Sequence, residues 1–167
     1  MLRINKLHPD FTGIRHCAIV LSKERFETRD YLKYLRVVGG IMYATNGKNL
    51  HIANGLSEEI KDGYYEVAKV NKTEVWIEWT DISIQYPDVE SLLNTESYPH
   101  IGIGEDKYQM LSAIIIASKA VYNYEAYDKA ISCMDFPVSY DTKDSESPAV
   151  FKNGNLMAVV MPMRTKN

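Results

Sequence analysis

The stretch IMYATNGKNLHIA, Ile41 to Ala53, reads as two strands folded back on each other. Ile41–Thr45 and Lys48–Ala53 are rich in strand formers. Asn46-Gly47 between them is the strongest short hairpin signal, because a type I′ turn needs two residues with positive φ. Immediately upstream, Tyr31–Val38 has the same strand character and is set off by Gly39-Gly40. The result is an antiparallel meander. Before it, MLRINKL alternates Leu2, Ile4 and Leu7 with polar residues, as a short strand does. The period then changes. In HPDFTGIRHCAIVLSKERF, residues Phe11, Ile14, Ala18 and Leu21 fall three to four apart and make one apolar helical face. Arg15, His16 and Lys23 lie mostly off that face, and Asp10 is placed to cap the helix. The first 54 residues therefore read strand, helix, strand, strand, strand.

Downstream, Tyr64–Val70 and Glu74–Trp79 read as two further strands joined by NKT. YPDVESLLNTESYP (86–99) carries little periodicity and reads as a linker with a short helical turn. HIGIG is another strand. Glu105–Met134 has helical spacing at Met110, Ile114, Ala117 and Val121, and again at Tyr127, Ala130, Ile131 and Met134. The run Ile114-Ile115-Ile116 suits a buried strand as well, so one helix, two helices, or a strand plus a helix stay open. FPVSYDT, SPAVFK and LMAVVMPM close the chain as three strands, the last two joined at Asn153-Gly154. The organisation is α+β: repeated β-α-β-β-β units, 1–85 and 100–167, joined by the linker 86–99, with extra strands between the repeats.

The composition bounds the function. An apolar fraction of 46% and a charged fraction of 25% suit a globular protein, and a net charge of −3 excludes coating of nucleic acid by bulk positive charge. No apolar run approaches the roughly 18 residues that span a bilayer, and the first seven residues mix charge with apolar side chains. Neither a membrane segment nor a leader is expected. Cys17 and Cys133 stand alone, which fits a reducing, cytoplasmic setting. His8, His16, His51 and His100 lack metal-ligand spacing. GIGEDK has two glycines of a dinucleotide turn but no third. No nucleophile–base set can be assembled, so neither an enzyme nor a cofactor or metal site is expected. The 12 Tyr, 4 Phe and 2 Trp fall mostly on alternating strand positions, where core packing explains them better than base stacking.

The tail VVMPMR, Val159 to Arg164, puts a proline between two methionines at a strand end. Proline cannot donate to a ladder, and methionine suits surfaces that accept varied apolar partners. With this tail in place, four stretches in order resemble the bacterial sliding clamps, the β subunits of the replicative DNA polymerase. They are MYATNGKNLHIA, YPDVESLL, AVYNYEAYDKAI followed by TKDSESPAVF, and AVVMPMR. The resemblance implies a DNA-clamp-like fold, with an antiparallel sheet on one face and helices on the other. It also implies a non-enzymatic processivity factor that docks a short apolar motif of a DNA polymerase or another replication protein.

Carried over, one pocket wall is Thr45, Gly47, Lys48, Asn49 and Leu50. Pro87 and Leu92 come from the linker and Pro148 from the Ser-rich segment. Val159, Met161, Pro162, Met163 and Arg164 form the opposite wall. Arg15, His16 and Lys23 would face double-stranded DNA, bound without sequence preference by a homo-oligomer. The departures are a chain about half a clamp subunit's length, Asn49 where the pattern has arginine, and Ser91 near the linker. Two alternatives accompany this reading: a decoy or regulator that binds the same peptides without encircling DNA, and a small α+β enzyme.

Overall fold

The computed structural model describes residues 1–21 and 28–164, and the expectation for Lys23 lies outside them. The chain divides into two compact units, Met1–Pro87 and Asp88–Asn167.

In the N-terminal unit, β1 (Leu2–Asn5) leads to α1 (Phe11–Ala18) and a 3-10 turn at Asp30–Leu32. Then come β2 (Leu35–Val38), β3 (Ile41–Thr45), β4 (Asn49–Ala53), β5 (Gly63–Val70) and β6 (Glu74–Thr80). The strands lie in the order β1-β6-β5-β2-β3-β4, each antiparallel to its neighbour. In the C-terminal unit, a 3-10 turn at Glu90–Leu93 precedes β7 (His100–Gly104), α2 (Lys107–Ser118), α3 (Tyr124–Ile131), β8 (Val138–Thr142), β9 (Ala149–Asn153) and β10 (Leu156–Val160). Its order, β7-β8-β9-β10, is again antiparallel. The two units share one plan. The β5–β6 hairpin is interpolated into the first sheet, between its first strand and β2, rather than standing between the repeats.

The turns correct the sequence reading in an instructive way. Gly39 and Gly40 both have positive φ (58° and 75°) and join Val38 directly to Ile41, so the two-residue I′-like turn is there. At Asn46-Gly47 only Gly47 is positive, and the register pairs Thr45 with Leu50, so residues 46–48 lie between the strands, with the Asn46 amide donating to the Asn49 carbonyl at 3.2 Å. The Asn46 side chain explains the difference, since its Oδ1 accepts from the amides of Lys48 and Asn49 at 2.9 and 2.8 Å. An Asn that bonds its own backbone this way competes with the tighter turn. Asn71 does the same for Thr73 and Glu74. The last hairpin pairs Asn153 with Leu156, so its loop is Gly154-Asn155 rather than Asn153-Gly154.

Two features of α1 also depart from expectation. Asp10 occupies the N-cap position but makes no capping bond. Its carboxylate instead accepts from the Ser57 amide at 3.1 Å and from the Ser57 hydroxyl, stitching the helix start to the chain after β4. His16 lies on the buried face, where its ring stacks on His51 at 4.4 Å. The open reading of Glu105–Met134 resolves to two helices. Asp106 caps α2 by accepting from Tyr108 and Gln109 amides at 2.8 and 3.0 Å, and Asn123 caps α3 through the Ala126 amide at 3.0 Å. Between them Lys119 adopts the left-handed conformation (φ 56°), which ends α2 after the isoleucine run.

The outer strand β1 is held by a charged cluster. Glu74 on β6 accepts from Arg3 Nε at 2.8 Å and Trp76 Nε1 at 3.0 Å and pairs with Lys69, while Arg3 and Lys69 lie over the Trp76 ring. Lys69 above all, then Trp76 and Arg3, hold the Glu74 carboxyl down at about 2 against an ordinary 4.5. A depressed carboxyl contributes stability above its unfolded value and loses it as pH falls through the folded one. Between about pH 4.5 and 2 the amides of β1 are therefore expected to lose protection from hydrogen exchange. Glu74→Gln is expected to show that weaker protection already at neutral pH. Equal protection in both proteins across that range would remove the cluster from the account.

Candidate functional site

The C-terminal tail leaves the sheet where the proline demands. The β10 ladder ends at Val160, paired with Ala149, and Met161–Arg164 continue outside it. The tail is anchored nevertheless. The Met163 amide donates to the Val121 carbonyl at 2.7 Å, tying it to the loop between α2 and α3. Met161 and Met163 are 39% and 47% exposed, and Arg164 is exposed. Val121 and Tyr124, on the loop and the first residue of α3, are exposed apolar groups as well. A bound tail with outward methionines beside an apolar loop offers adaptable, largely preformed contacts to an apolar side chain.

Of the other carried-over residues in this unit, Leu92 is partly exposed on the 3-10 turn, Pro148 is half-buried, and Val159 is buried in the interior. Behind Pro148, Asp144 Oδ1 accepts from the amides of Glu146 and Ser147 at 3.0 and 2.8 Å, which shapes the Ser-rich turn. The Ser147 hydroxyl and these two amides hold the Asp144 carboxyl below the usual carboxylate range.

In the N-terminal unit the loop after β3 is rigid from within. Thr45 Oγ1 donates to the Asn49 carbonyl at 2.7 Å and accepts from the Gly47 amide at 3.1 Å. Thr45, Asn49 and Leu50 are buried, so Gly47 and Lys48 are the members of this set that reach solvent, and Pro87 is exposed. One neighbour was not foreseen. A Cβ on Gly47 would lie 3.3 Å from the Arg29 guanidinium, so a guanidinium does stand at this turn although Asn49 replaces the pattern's arginine. No periodic signal marks Arg29, because it stands just before the three-residue 3-10 turn at Asp30–Leu32. Val121 and Tyr124 were not marked out by the sequence, since Val121 falls on the apolar spacing Met110, Ile114, Ala117, Val121 and Tyr124 stands three residues before Tyr127.

The segment before Pro87 lies on the sheet face opposite α1. Tyr64 Oη donates to the Ile84 carbonyl at 2.8 Å. Tyr86 meets Tyr31 edge-on at 6.1 Å and lies under the Arg36 guanidinium at 5.3 Å. Burial, above all, pushes the Tyr86 hydroxyl well above its ordinary range. Tyr86 and Pro87 thus belong to the N-terminal unit, and the stretch 86–99 divides between the two.

Two of the residues expected to face DNA are described. His16 is buried against His51, and Arg15 donates from Nε to the Asn71 carbonyl at 2.9 Å. α2 presents Tyr108, Ile115 and Ile116 to solvent. Among the described residues no group of three His, Cys, Asp or Glu could hold a metal ion, and no helix is long and apolar enough to cross a membrane.

The β-α-β-β-β plan seen twice, with antiparallel sheets backed by helices, has counterparts among solved structures. The DNA polymerase III β subunit of Thermotoga maritima superposes with a TM-score of 0.65 at 10% identity, over 99% of this chain and 65% of that one. A sliding clamp from Pseudomonas aeruginosa bound to griselimycin gives 0.63 at 15% identity, over 98% and 66%. The fold is that of the sliding clamps. The β subunit of Streptococcus pyogenes DNA polymerase gives 0.63 at 11%, over 98% and 66%. The chain thus spans about two thirds of the length of the clamp structures that it matches. No protein-family model and no curated protein matches it. At these identities the likeness speaks for the clamp fold and leaves the site residues to the geometry above.

Proposed function

We propose that this protein is a non-enzymatic, clamp-like DNA replication factor that docks a short apolar motif of a DNA polymerase or another replication protein. Its setting is cytoplasmic, and its two units act as two clamp-like halves. The observation that carries the reading is the tail: residues 161–164 leave the ladder, are pinned by the Met163–Val121 bond, and turn two methionines outward. Arg164 at the rim suits an acidic or polar group of the motif. In the N-terminal unit the same reading assigns the 45–50 turn, with Lys48 and the Arg29 guanidinium as its polar groups.

The second reading, a peptide-binding regulator that does not encircle duplex DNA, draws on a separate observation. The helices offer a buried His16, an engaged Arg15 and the exposed apolar residues of α2. Non-specific duplex binding rests on lysines and arginines that release counterions.

A fluorescence titration with a labelled peptide of the type Gln-Leu-x-Leu-Phe tests the docking. Wild type is expected to bind, and Met163→Asp to bind at least about tenfold more weakly, a loss of about 1.4 kcal/mol. The variant sets a carboxylate against an apolar anchor at a position exposed enough to leave the fold intact. Equal binding by both proteins, or by neither, removes the docking claim.

A further inference from the structure

We infer that Met161 and Met163 form a reversible oxidation site, and that converting their thioethers to sulfoxides switches peptide docking off. This regulation rests on the peptide-docking reading and adds a chemical control to the same site. The chain has seven methionines, and their surroundings divide them sharply. Met42, Met110 and Met134 are 0%, 1% and 6% exposed, and Met157 on β10 is half-buried. Within the C-terminal unit, Met161 and Met163 alone among the methionines are exposed. Met1, in the N-terminal unit, is the other exposed one.

Access decides which thioether reacts. A thiol must first lose its proton, whereas a thioether has none to lose and needs no neighbouring base or cation. The co-reactant is a hydroperoxide. A lone pair of the methionine sulfur attacks its terminal oxygen, and the O–O bond breaks as the S–O bond forms. The other oxygen leaves with the electron pair of the O–O bond. It takes up the proton that the transferred oxygen carried and departs as water or an alcohol. Sulfur is oxidised by two electrons and the peroxide is reduced by two.

The product is a polar group that accepts hydrogen bonds, in the place where docking needs a soft apolar one. Covered by an apolar anchor, such an acceptor is costly unless a donor meets it. The tail offers none at two of its positions. Pro162 has no N–H, and the Met163 amide already donates to the Val121 carbonyl at 2.7 Å. That bond joins main-chain atoms, so it holds the tail in place whether or not the side chains carry oxygen. The modification therefore changes the chemistry of the docking face and leaves the fold alone, which makes the change reversible.

In a Cys133→Ser background of the full chain, limiting hydrogen peroxide is expected to add one oxygen each to Met161 and Met163. Peptide mass mapping should find this at least about tenfold faster than at Met42, Met110 or Met134. The labelled Gln-Leu-x-Leu-Phe peptide is then expected to bind at least about tenfold more weakly, with an unchanged circular dichroism spectrum. Methionine sulfoxide reductase with its thiol reductant should restore the binding. Met161→Leu/Met163→Leu, read against its own untreated sample, is expected to be insensitive to peroxide, and sensitivity there would assign the loss to Met1. If that variant does not bind, protection decides: saturating peptide is expected to slow oxidation of Met161 and Met163 in the parent protein. Core methionines that oxidise as fast as the tail, binding that survives full oxidation of both residues, a loss that persists after the reductase has removed the oxygens, or no protection by peptide would each overturn the proposal. The two readings fail differently. An untreated protein that does not bind the peptide removes the docking and the switch together, whereas equal binding before and after oxidation removes the switch alone.

Discussion

Tyr127→Ala is expected to unfold the C-terminal unit or bring it close to unfolding, while Tyr127→Phe is expected to cost about 1 kcal/mol. Tyr127 sits on the buried face of α3, nearly inaccessible to solvent. Its ring meets Phe151 of β9 edge-on at 5.6 Å, and its hydroxyl donates to the Lys107 carbonyl at 2.6 Å in the first turn of α2. One side chain thus joins both helices to the sheet. Removing a buried aromatic ring costs about 3–5 kcal/mol, because the lost contacts and the cavity add. That is a large part of the roughly 5–15 kcal/mol that holds a domain together. The phenylalanine variant keeps the ring and loses one bond to a carbonyl that also serves its own helix, hence the smaller figure. Burial, first of all, pushes the Tyr127 hydroxyl far above its ordinary range, so the bond persists across neutral and mildly alkaline pH. Hydrogen exchange of α3, β9 and β10 amides measures both variants. The alanine variant is also expected to lose peptide docking, because α3 begins three residues after the carbonyl that holds Met163. If Tyr127→Ala retains wild-type protection, the ring does not join these elements.

Much of the fold was legible because strands and helices differ in period, and that signal is local. Gly39-Gly40, HIGIG and the tail strand read correctly from composition alone. The errors share a cause, which is competition between groups that are close in space or along the backbone but carry no period. Asn46 looked like half of a turn that needs positive φ, yet its carboxamide satisfied two amides and opened the loop instead. His16 looked like a solvent-facing residue, yet a helix of eight residues buried on most of its surface leaves little room for an exposed stripe. What made it tolerable inside was His51, 35 residues away, which offers a ring to stack on and bonds the His16 carbonyl through Nδ1 at 2.6 Å. Strand order was out of reach for a related reason. The β5–β6 hairpin follows the meander in the chain but inserts before it in the sheet, and only the pairing of β1 with β6 reveals this. At the candidate site, the resemblance supplied the methionines. The Met163–Val121 bond that fixes them links positions 42 residues apart and left no mark in the local pattern.

Ile14→Asp is expected to be the most damaging single change in the N-terminal unit, and its pH dependence distinguishes the cause. Eight residues are too few for a helix to persist unaided, so α1 depends on the face it lays on β3, β4 and β6. Ile14 lies at the middle of that face with no solvent access. Aspartate there removes the aliphatic burial and also puts a carboxylate among apolar groups, a combination expected to exceed about 4 kcal/mol. Both tryptophans, Trp76 and Trp79, lie on β6, one of the strands that α1 packs on, so their emission reports the loss of that sheet. The sign of the pH effect follows from burial. A carboxyl enclosed by apolar groups has its folded pKa raised, so the penalty is fully present well above that raised value and shrinks as pH falls toward the unfolded value of about 3.9. Ile14→Asp is therefore expected to be unfolded by tryptophan emission at neutral pH and to recover part of its native signal as pH falls toward about 4.5, before the Glu74 cluster at β1 begins to weaken. Ile14→Asn, polar and of similar size but without a charge to neutralise, should show no such recovery. Parallel pH profiles for the two variants would mean that lost packing alone, and not the buried charge, releases the helix from the sheet.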